Sequence, residues 1–522
     1  MTHAPTPGAM QDFALTLDRF LTHAGKWHPT AGVVTAAPDG TTQRIGYADL
    51  EMRARAISAA LVAQGIGVGD HVATLAWNSQ AHVETWYAIM GIGAACHTLN
   101  PRLTAAQLAD MLGQSQARIV VASADLIPLA QDVLALLDVP PMLLSIDGAA
   151  AVDTLDTLVE PDVAAAWGGF DERTPSGLCF TSGTTGRPKG VTYTHRACFL
   201  HTLRSLQADV MAITATDRVL AAVPMFHANA WGLPFAVPAV GATLVLPGRA
   251  TDGANLARLI AVEGVTIAVG VPTVWLGLVE HLDQTGDDVP SLKRVIVGGA
   301  PMPPALMERL ERRLGVTVQT SWGMTELSPA GTFAPPGMAE REASSSGRPA
   351  IGIDLLLTDA DGIALPEQRE VEGHLRVRGA AVVERYFGQV EPATDATGWF
   401  ATGDLARIGR DGDLTITGRA KDLIKSGGEW INPAEIEGVV GALPQVSMAA
   451  VIGRSDVRWG ERPILVVELR DGEDIRDDAL LGALRGRVAP WWIPDAVVRL
   501  PAMPLAATGK IDKLRLRAEH GQ

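Results

Sequence analysis

Apolar residues recur at helical spacing from Tyr47 to Gln64, in YADLEMRARAISAALVAQ, and the pattern stops near Gly65. This predicts a helix with a glycine stop. HVATLAWN, residues 71–78, reads as a buried strand, and ETWYAIMGIGAACHTLN, residues 84–100, as a helix running into a strand. Short apolar runs ending in Gly, Pro or Ser follow: ARIVVAS, TLVLP, TIAVGVP and RVIVGG, with helical stretches between them. That alternation predicts an α/β protein with layered, mostly parallel sheets. After about Ser346 the texture changes. DLLLTDADGIALP and GHLRVRG predict short strands joined by Asp-Gly turns, a small β-barrel-like module. The last hundred or so residues mix AEIEGVVGALP (helix), VSMAAVIG and RPILVVEL (strands) and DDALLGALRGRV (helix). The expected division is a large N-terminal part, residues 1–417, and a small α+β domain, residues 418–522.

One stretch departs from this pattern. From Val219 to Gly248 there is no Asp, Glu, Lys or Arg, long enough to span a bilayer. Pro224, Pro234, Pro238 and Pro247 interrupt it, with His227 and Asn229 near its start. A protein core forming a pocket wall fits this better than a membrane helix. The net charge of −15 argues against a nucleic-acid surface, which needs clustered Lys and Arg. It leaves room for a nucleotide pocket, which needs only a few local cations. Cys96, Cys179 and Cys198 show no CxxC spacing, and the N-terminus lacks a basic start before an apolar run. Both features predict a reducing, cytoplasmic setting.

Candidate chemistry begins at FTSGTTGRPKG, residues 180–190. Successive backbone N–H groups of a glycine-rich turn form an anion nest, and Gly lets the chain approach a ligand closely. Thr181, Ser182, Thr184 and Thr185 add hydroxyls, and Lys189 adds a charge. Gly183 and Gly186 stand too close together for the G-x-x-x-x-G-K-[ST] loop, so an ATPase or regulator of that type is disfavoured. Taken alone, the stretch could be a decorated surface turn.

It is followed in order by PMFHANAW, VGGAPMP, SWGMTE, TGD, GRAKDLIKSGGEW and LAATGKIDK. In this order the seven motifs resemble those of the adenylate-forming superfamily, over nearly the whole chain. The resemblance is strongest to fatty-acid and medium-chain acyl-CoA synthetases. It implies a two-step reaction: a carboxylate and ATP give acyl-adenylate and pyrophosphate, and coenzyme A then displaces AMP. The implied ligands are ATP, Mg²⁺, coenzyme A and a small carboxylic acid.

Residue roles follow as implications of that resemblance. Thr181 to Lys189 would close over the β- and γ-phosphates. Glu326 with Thr184 would hold Mg²⁺, an ion suited to hard oxygens; the plain alternative for Glu326 is a carboxylate at a helix start. Gly299, Ala300, Pro301, Thr320 and Ser321 would bound the adenine and acyl site, with Trp322, Gly323, Met324 and Thr325 beside them. Trp322 stands where the family usually has Tyr. It can stack on adenine but has no phenol O–H. Asp404 and Arg419 would reach the ribose, or could be a surface ion pair. Lys510 would bridge the carboxylate and α-phosphate, offsetting their repulsion, and is the implied catalytic group. Lys421 would be the pivot of a mobile small domain, and Lys425 and Trp430 would touch the nucleotide or the domain junction. Ser426, Gly427, Gly428 and Glu429 would face the pantetheine arm. Phe226, His227, Trp231, Gly232, Gly299 and Met324 would shape the acyl pocket. Amino-acid-activating relatives commonly carry Asp at the place of His227. Its absence here points to an apolar acid without an α-amino group, of short or medium chain, or an aryl acid. A separate carrier protein in place of coenzyme A stays open, as does a homodimer.

Overall fold

The computed structural model describes residues 10–37, 39–148, 152–181, 187–338, 341–427, 429–506 and 510–522. Ser182, Gly183, Thr184, Thr185, Gly186 and Gly428, all expected ligand contacts, lie outside the described residues.

Two large sheets form the N-terminal part. The nine-stranded one runs, in spatial order, through Arg348–Pro349, Ala330–Phe333, Thr317–Gly323, Arg294–Val297, Ile267–Gly270, Arg218–Ala221, Thr243–Leu246, Gly32–Ala36 and Thr42–Gly46. Its six central strands, Thr317–Gly323 to Gly32–Ala36, are parallel, and antiparallel strands cap both edges. The six-stranded sheet runs Met142–Ser145, Ile119–Ala122, His71–Leu75, Ala95–Thr98, Pro175–Phe180 and Gly190–Thr194, parallel except for the last pair. Helices cover these sheets, so their strands are buried on both faces and read as continuous apolar runs such as IVVA and RVIV. The predicted helix forms over Tyr47–Ala63, and Gly65 follows in a left-handed conformation at φ +78°.

The β module is an antiparallel meander, Ile353–Thr358, Glu372–Gly379, Phe400–Ile408 and Leu414–Arg419, with the first and last strands at its edges. The small C-terminal unit is built on the long hairpin Val446–Asp456 and Gly460–Leu469. Its residues alternate between two cores. Val451, Leu465 and Val467 face the helix Pro433–Gly441, while Ala450, Ile452, Ile464 and Val466 face Leu516 of the helix Lys513–His520. Period-two alternation with both faces apolar calls for a helix on each side.

The helix expected over residues 477–488 stops at Gly482. Two glycines weaken it, each costing about 1 kcal/mol against Ala, and Gly486 adopts φ +74°. Leu480 and Leu484 nevertheless reach the core. The uncharged stretch from Val219 forms a strand, a turn, the helix Leu233–Ala239 and a second strand. Among the described residues no helix is long and apolar enough to cross a membrane.

Candidate active site

Parallel strands end together, and binding residues gather beyond their carboxyl ends. Here the ends of Arg218–Ala221, Ile267–Gly270, Arg294–Val297 and Thr317–Gly323 deliver Phe226 and His227, Val271, Gly298 and Gly299, and Thr320 to Gly323 to one edge. The rings and glycines then interlock. A Cβ on Gly298 would lie 2.9 Å from Trp231 Cη2, and one on Gly299 3.8 Å from Trp231 Cζ2. The Ser321 hydroxyl donates to the Val297 carbonyl at 2.9 Å, tying neighbouring strand ends.

Trp231 is presented by an unusual backbone. Ala228, Asn229, Ala230, Trp231 and Gly232 have φ of 45°, 50°, 46°, 54° and 78°, a continuous left-handed turn. For L-residues this conformation costs roughly 1–2 kcal/mol each, so the surroundings must over-determine it. The Cys179 thiol donates to Asn229 Oδ1 at 3.4 Å, and the Tyr87 hydroxyl donates to the Pro234 carbonyl at 2.9 Å. The His201 ring packs where a Cβ on Gly232 would sit, 3.0 Å away. Asn78 holds the entry: its amide donates to the Ala221 and Val223 carbonyls at 3.0 and 2.8 Å, and its Oδ1 accepts from Met225 N–H at 2.7 Å.

On the other side lies Asp404, 1% exposed on the module strand Phe400–Ile408. The Trp322 indole N–H donates to its Oδ2 at 3.0 Å, and Arg419 Nε meets its Oδ1 at 2.7 Å. Burial raises the Asp404 carboxyl above its ordinary value, opposed by Arg419, the indole and Lys510. Asp404 is therefore a buried carboxylate held at both oxygens, not a surface ion-pair partner. Trp322 lacks the phenol of the family pattern but supplies an N–H that the pattern's Tyr does not have.

Lys510 faces the same cluster from the small domain. Protein atoms crowd its ammonium, while the residue as a whole stays exposed to solvent. Its ammonium is pushed down by burial and by Arg419 and Lys421, and pulled up by Asp404. His227 is held neutral: burial, Lys510 and Arg102 lower it to about 4. Lys421 is lowered by burial, with Arg419 among its cationic neighbours. A cationic cleft thus sits in an acidic protein.

Glu326 is 7% exposed and follows the strand Thr317–Gly323 in a short helical turn. Tyr386 O–H donates to its Oε1 at 2.9 Å, and Val383 N–H to its backbone carbonyl at 2.8 Å. Burial raises its carboxyl, while Tyr386, Arg419 and Lys189 pull it down. The Lys189 ammonium lies 4.9 Å from the Tyr386 ring centroid, and the Lys189 carbonyl accepts from Thr181 N–H at 2.9 Å, closing the base of the glycine-rich loop. Thr325 is buried, and its carbonyl accepts the Tyr193 hydroxyl at 2.7 Å. Met324, half-buried, donates its N–H to the Pro329 carbonyl, and a Cβ on Gly323 would overlap that same oxygen. Ala300 is half-buried and Pro301 exposed just beyond Gly299.

The structure keeps one expected group apart. Lys425, Gly427, Glu429 and Trp430 are exposed on the hairpin Ile424–Ser426 and Glu429–Ile431, while Ser426 is buried there with Ile424 and Ile431. Lys425 Nζ lies 5.4 Å from the Trp430 ring centroid. The described contacts of this hairpin are within the small domain.

A sequence profile of the AMP-binding enzyme family matches residues 21–387, and that of the AMP-binding enzyme C-terminal domain matches residues 435–510. The chain belongs to the AMP-binding enzyme family. It is 40% identical to the 3-methylmercaptopropionyl-CoA ligase of Ruegeria lacuscaerulensis, over 98% of both chains. It is 39% identical to the medium-chain-fatty-acid–CoA ligase of Ectopseudomonas oleovorans, over 98% of this chain and 97% of that one. The crystal structure of ATP-bound MatB from Rhodopseudomonas palustris superposes with a TM-score of 0.87 at 26% identity, covering 98% and 99% of the two chains.

Several residues of this AMP-binding enzyme's site lie outside the motifs: Asn78, Arg102, Tyr193, His201 and Tyr386. A usable signal was scarcity. The chain has only four tyrosines, and all four hydroxyls donate: Tyr47 to the Ala242 carbonyl, and Tyr87, Tyr193 and Tyr386 to the turn and Glu326 regions. Where Phe would fill the space, a rare Tyr marks a needed O–H.

Proposed function

We propose that this chain is an ATP-dependent acyl-CoA ligase acting on a short- or medium-chain apolar carboxylic acid. The carrying observation is buried Asp404, held by Arg419 and the Trp322 indole with Lys510 among the charges that act on it, opposite a pocket wall without a charged side chain. Asp404 supplies acceptor lone pairs for two ribose hydroxyls, since Trp322 and Arg419 use only one lone pair on each oxygen. Lys510 would then reach the α-phosphate and the carboxylate. In the first step a carboxylate oxygen attacks that phosphorus, the bond to the bridging oxygen breaks, and pyrophosphate leaves. Lys510 offsets the repulsion of the two anions. In the second step the thiol sulfur attacks the acyl carbon, the bond to the AMP oxygen breaks, and the thiol proton passes to solvent.

Neutral His227 and the apolar ring of Trp231 suit an acid with no amino group. Trp231 packed on Gly298 and Gly299 narrows this side of the pocket, which favours small acids. Glu326, a buried carboxylate facing nearby cations, fits a divalent ion carried by nucleotide phosphates, an ion that typically takes one or two protein carboxylates. Thr184 would be its second protein ligand, and the metal would supply charge neutralisation at the phosphates. We place the domain boundary at 417/418 and the pivot at Lys421. Asn432 ties the two parts there, donating to the Thr417 carbonyl at 2.7 Å and capping the helix Pro433–Gly441. Turning about the pivot would exchange Lys510 for the Ser426–Glu429 loop and so order the two steps.

The test measures pyrophosphate release and coenzyme A thioester formation over straight-chain acids from propionic to palmitic, 3-methylmercaptopropionic acid and aryl acids. Release of ADP and phosphate instead of AMP and pyrophosphate would overturn the reaction. Equal rates on every acid would overturn the shaped pocket.

A further inference from the structure

Arg187 and Asp110 form an ion pair that the chemistry above leaves unused. Asp110 lies on the helix Ala105–Ser115, which opens on a capping box of Thr104 and Gln107. Arg187 ends the glycine-rich stretch, 77 positions further along the chain. Its Nε donates to Asp110 Oδ1 and Oδ2 at 2.9 and 3.0 Å, and its Nη2 donates to Oδ1 as well. Gln114, one turn on, donates to Asp110 Oδ2 at 3.1 Å and steadies the carboxylate. Two donors of one guanidinium on one carboxylate fix direction as well as distance. Packing contributes little to this, because the Arg187 side chain is 70% exposed and borders an open recess of about 530 Å³ with Ala106, Ala109, Leu136 and Leu137 on its walls.

The same helix supports the other stem of the glycine-rich stretch. Phe180 packs against the cluster that contains Leu108 and Leu112 of this helix. The Phe180 ring lies 5.2 Å from that of His97, whose Nδ1 meets Ser115 Oγ at 2.9 Å. The stems are joined by the Thr181 N–H on the Lys189 carbonyl, and Lys189 stands two residues beyond Arg187, over the Tyr386 ring. We infer that Asp110 is a positioning residue for the triphosphate of the nucleotide: through Arg187 it fixes the carboxyl-terminal stem, and with it Lys189, where the β- and γ-phosphates would be gripped. This rests on the acyl-CoA ligase reading. The Arg187 charge is answered by Asp110, so the arginine serves as a tether. Without Asp110 a long exposed side chain regains its rotamer freedom and the stem loses its hold on the helix. The pair therefore matters for a ligand that carries β- and γ-phosphates and not for one that ends at the α-phosphate.

That difference is measurable. Full-length wild type, Asp110→Ala, Arg187→Leu and the charge-exchanged double variant Asp110→Arg/Arg187→Asp are titrated with ATP and with AMP by calorimetry. They are also assayed for pyrophosphate release without thiol and for thioester formation from supplied acyl-adenylate. Asp110→Ala is expected to raise Kd and KM for ATP about fivefold, the upper range for a partly exposed ion pair. AMP binding and thioester formation should stay within about twofold. Arg187→Leu should show the same split, and the charge-exchanged variant should recover most of the loss. Equal weakening of ATP and AMP, or equal losses in both half-reactions, would mean a merely structural pair. Unchanged or tighter ATP binding by Asp110→Ala would overturn the inference, as would a charge-exchanged variant that melts like wild type yet recovers nothing. Absence of pyrophosphate release by the wild type would instead defeat the ligase reading itself.

Discussion

Asp404 shows how one side chain can be decided by its neighbours. A carboxylate 1% exposed survives as an anion only if charge and donors compensate for lost water. Arg419 and the Trp322 indole do that at separate oxygens. Trp322→Phe keeps an aromatic ring, though a smaller one, but strands Oδ2, and hydrogen bonds to charged groups contribute about 1.5–3 kcal/mol. Its KM for ATP is expected to rise about tenfold or more with a smaller change in kcat; an unchanged KM would show that the indole N–H does not serve the nucleotide. Lys510 belongs to the same scale. Lys510→Ala should lose pyrophosphate release by about a hundredfold or more, as the loss of electrostatic stabilisation does. It should keep thioester formation from supplied acyl-adenylate, and loss of both would contradict the separation of the two steps. The motifs named Asp404, Arg419 and Lys510, but not their contacts. The indole-to-carboxylate bond spans 82 positions of sequence, and no local pattern encodes such a pairing.

At the scale of elements, the left-handed turn from Ala228 to Gly232 is the feature with the greatest consequence. Its residues were visible as pocket-wall candidates, and the parallel strands on either side followed from their apolar runs. The turn itself was not legible, because four of its five residues are not glycine and among those four only Asn229 is of a type enriched at φ above zero. Packing of Asn229, Trp231 and His201 around it imposes the shape. Gly232→Ala would place a methyl against the His201 ring in a backbone that disfavours it, at roughly 1–2 kcal/mol. The expected outcome is a lower melting temperature and a raised KM for the acid, with KM for ATP little changed. A variant with wild-type acid KM would show that Gly232 does not hold the Trp231 ring. The shortened helix Asp477–Gly482 teaches a related point. Apolar spacing continued to Val488, but two glycines cut the helix while Leu484 stayed buried.

For the whole molecule, buried histidines set a pH dependence. Burial lowers His82 to about 4, and His97 and His195 to about 3; His227 is lowered to about 4 by burial, Lys510 and Arg102. Unfolded, such histidines take up protons near pH 6.5. Between those values the unfolded chain binds more protons than the folded one, so stability rises with pH. That stabilisation is complete above about pH 6.5 and is lost as pH falls through the folded values. Buried Glu326 and Asp404 act with the opposite sign, but from lower ordinary values. The melting temperature should therefore fall on acidification from pH 7 to pH 5, and a flat profile across that range would contradict buried neutral histidines.

The amino-acid sequence by itself determined the α/β layering, the apolar wall and the order of the motifs. Each of these is carried by periodicity or by neighbouring residues, whose physics is local. Only the tertiary structure decided which oxygen of Asp404 meets which donor, that Tyr386 reaches Glu326, and that the five residues from Ala228 to Gly232 turn left-handed. Those outcomes depend on groups far apart in the chain meeting at fixed distances, and close packing of the whole molecule sets those distances.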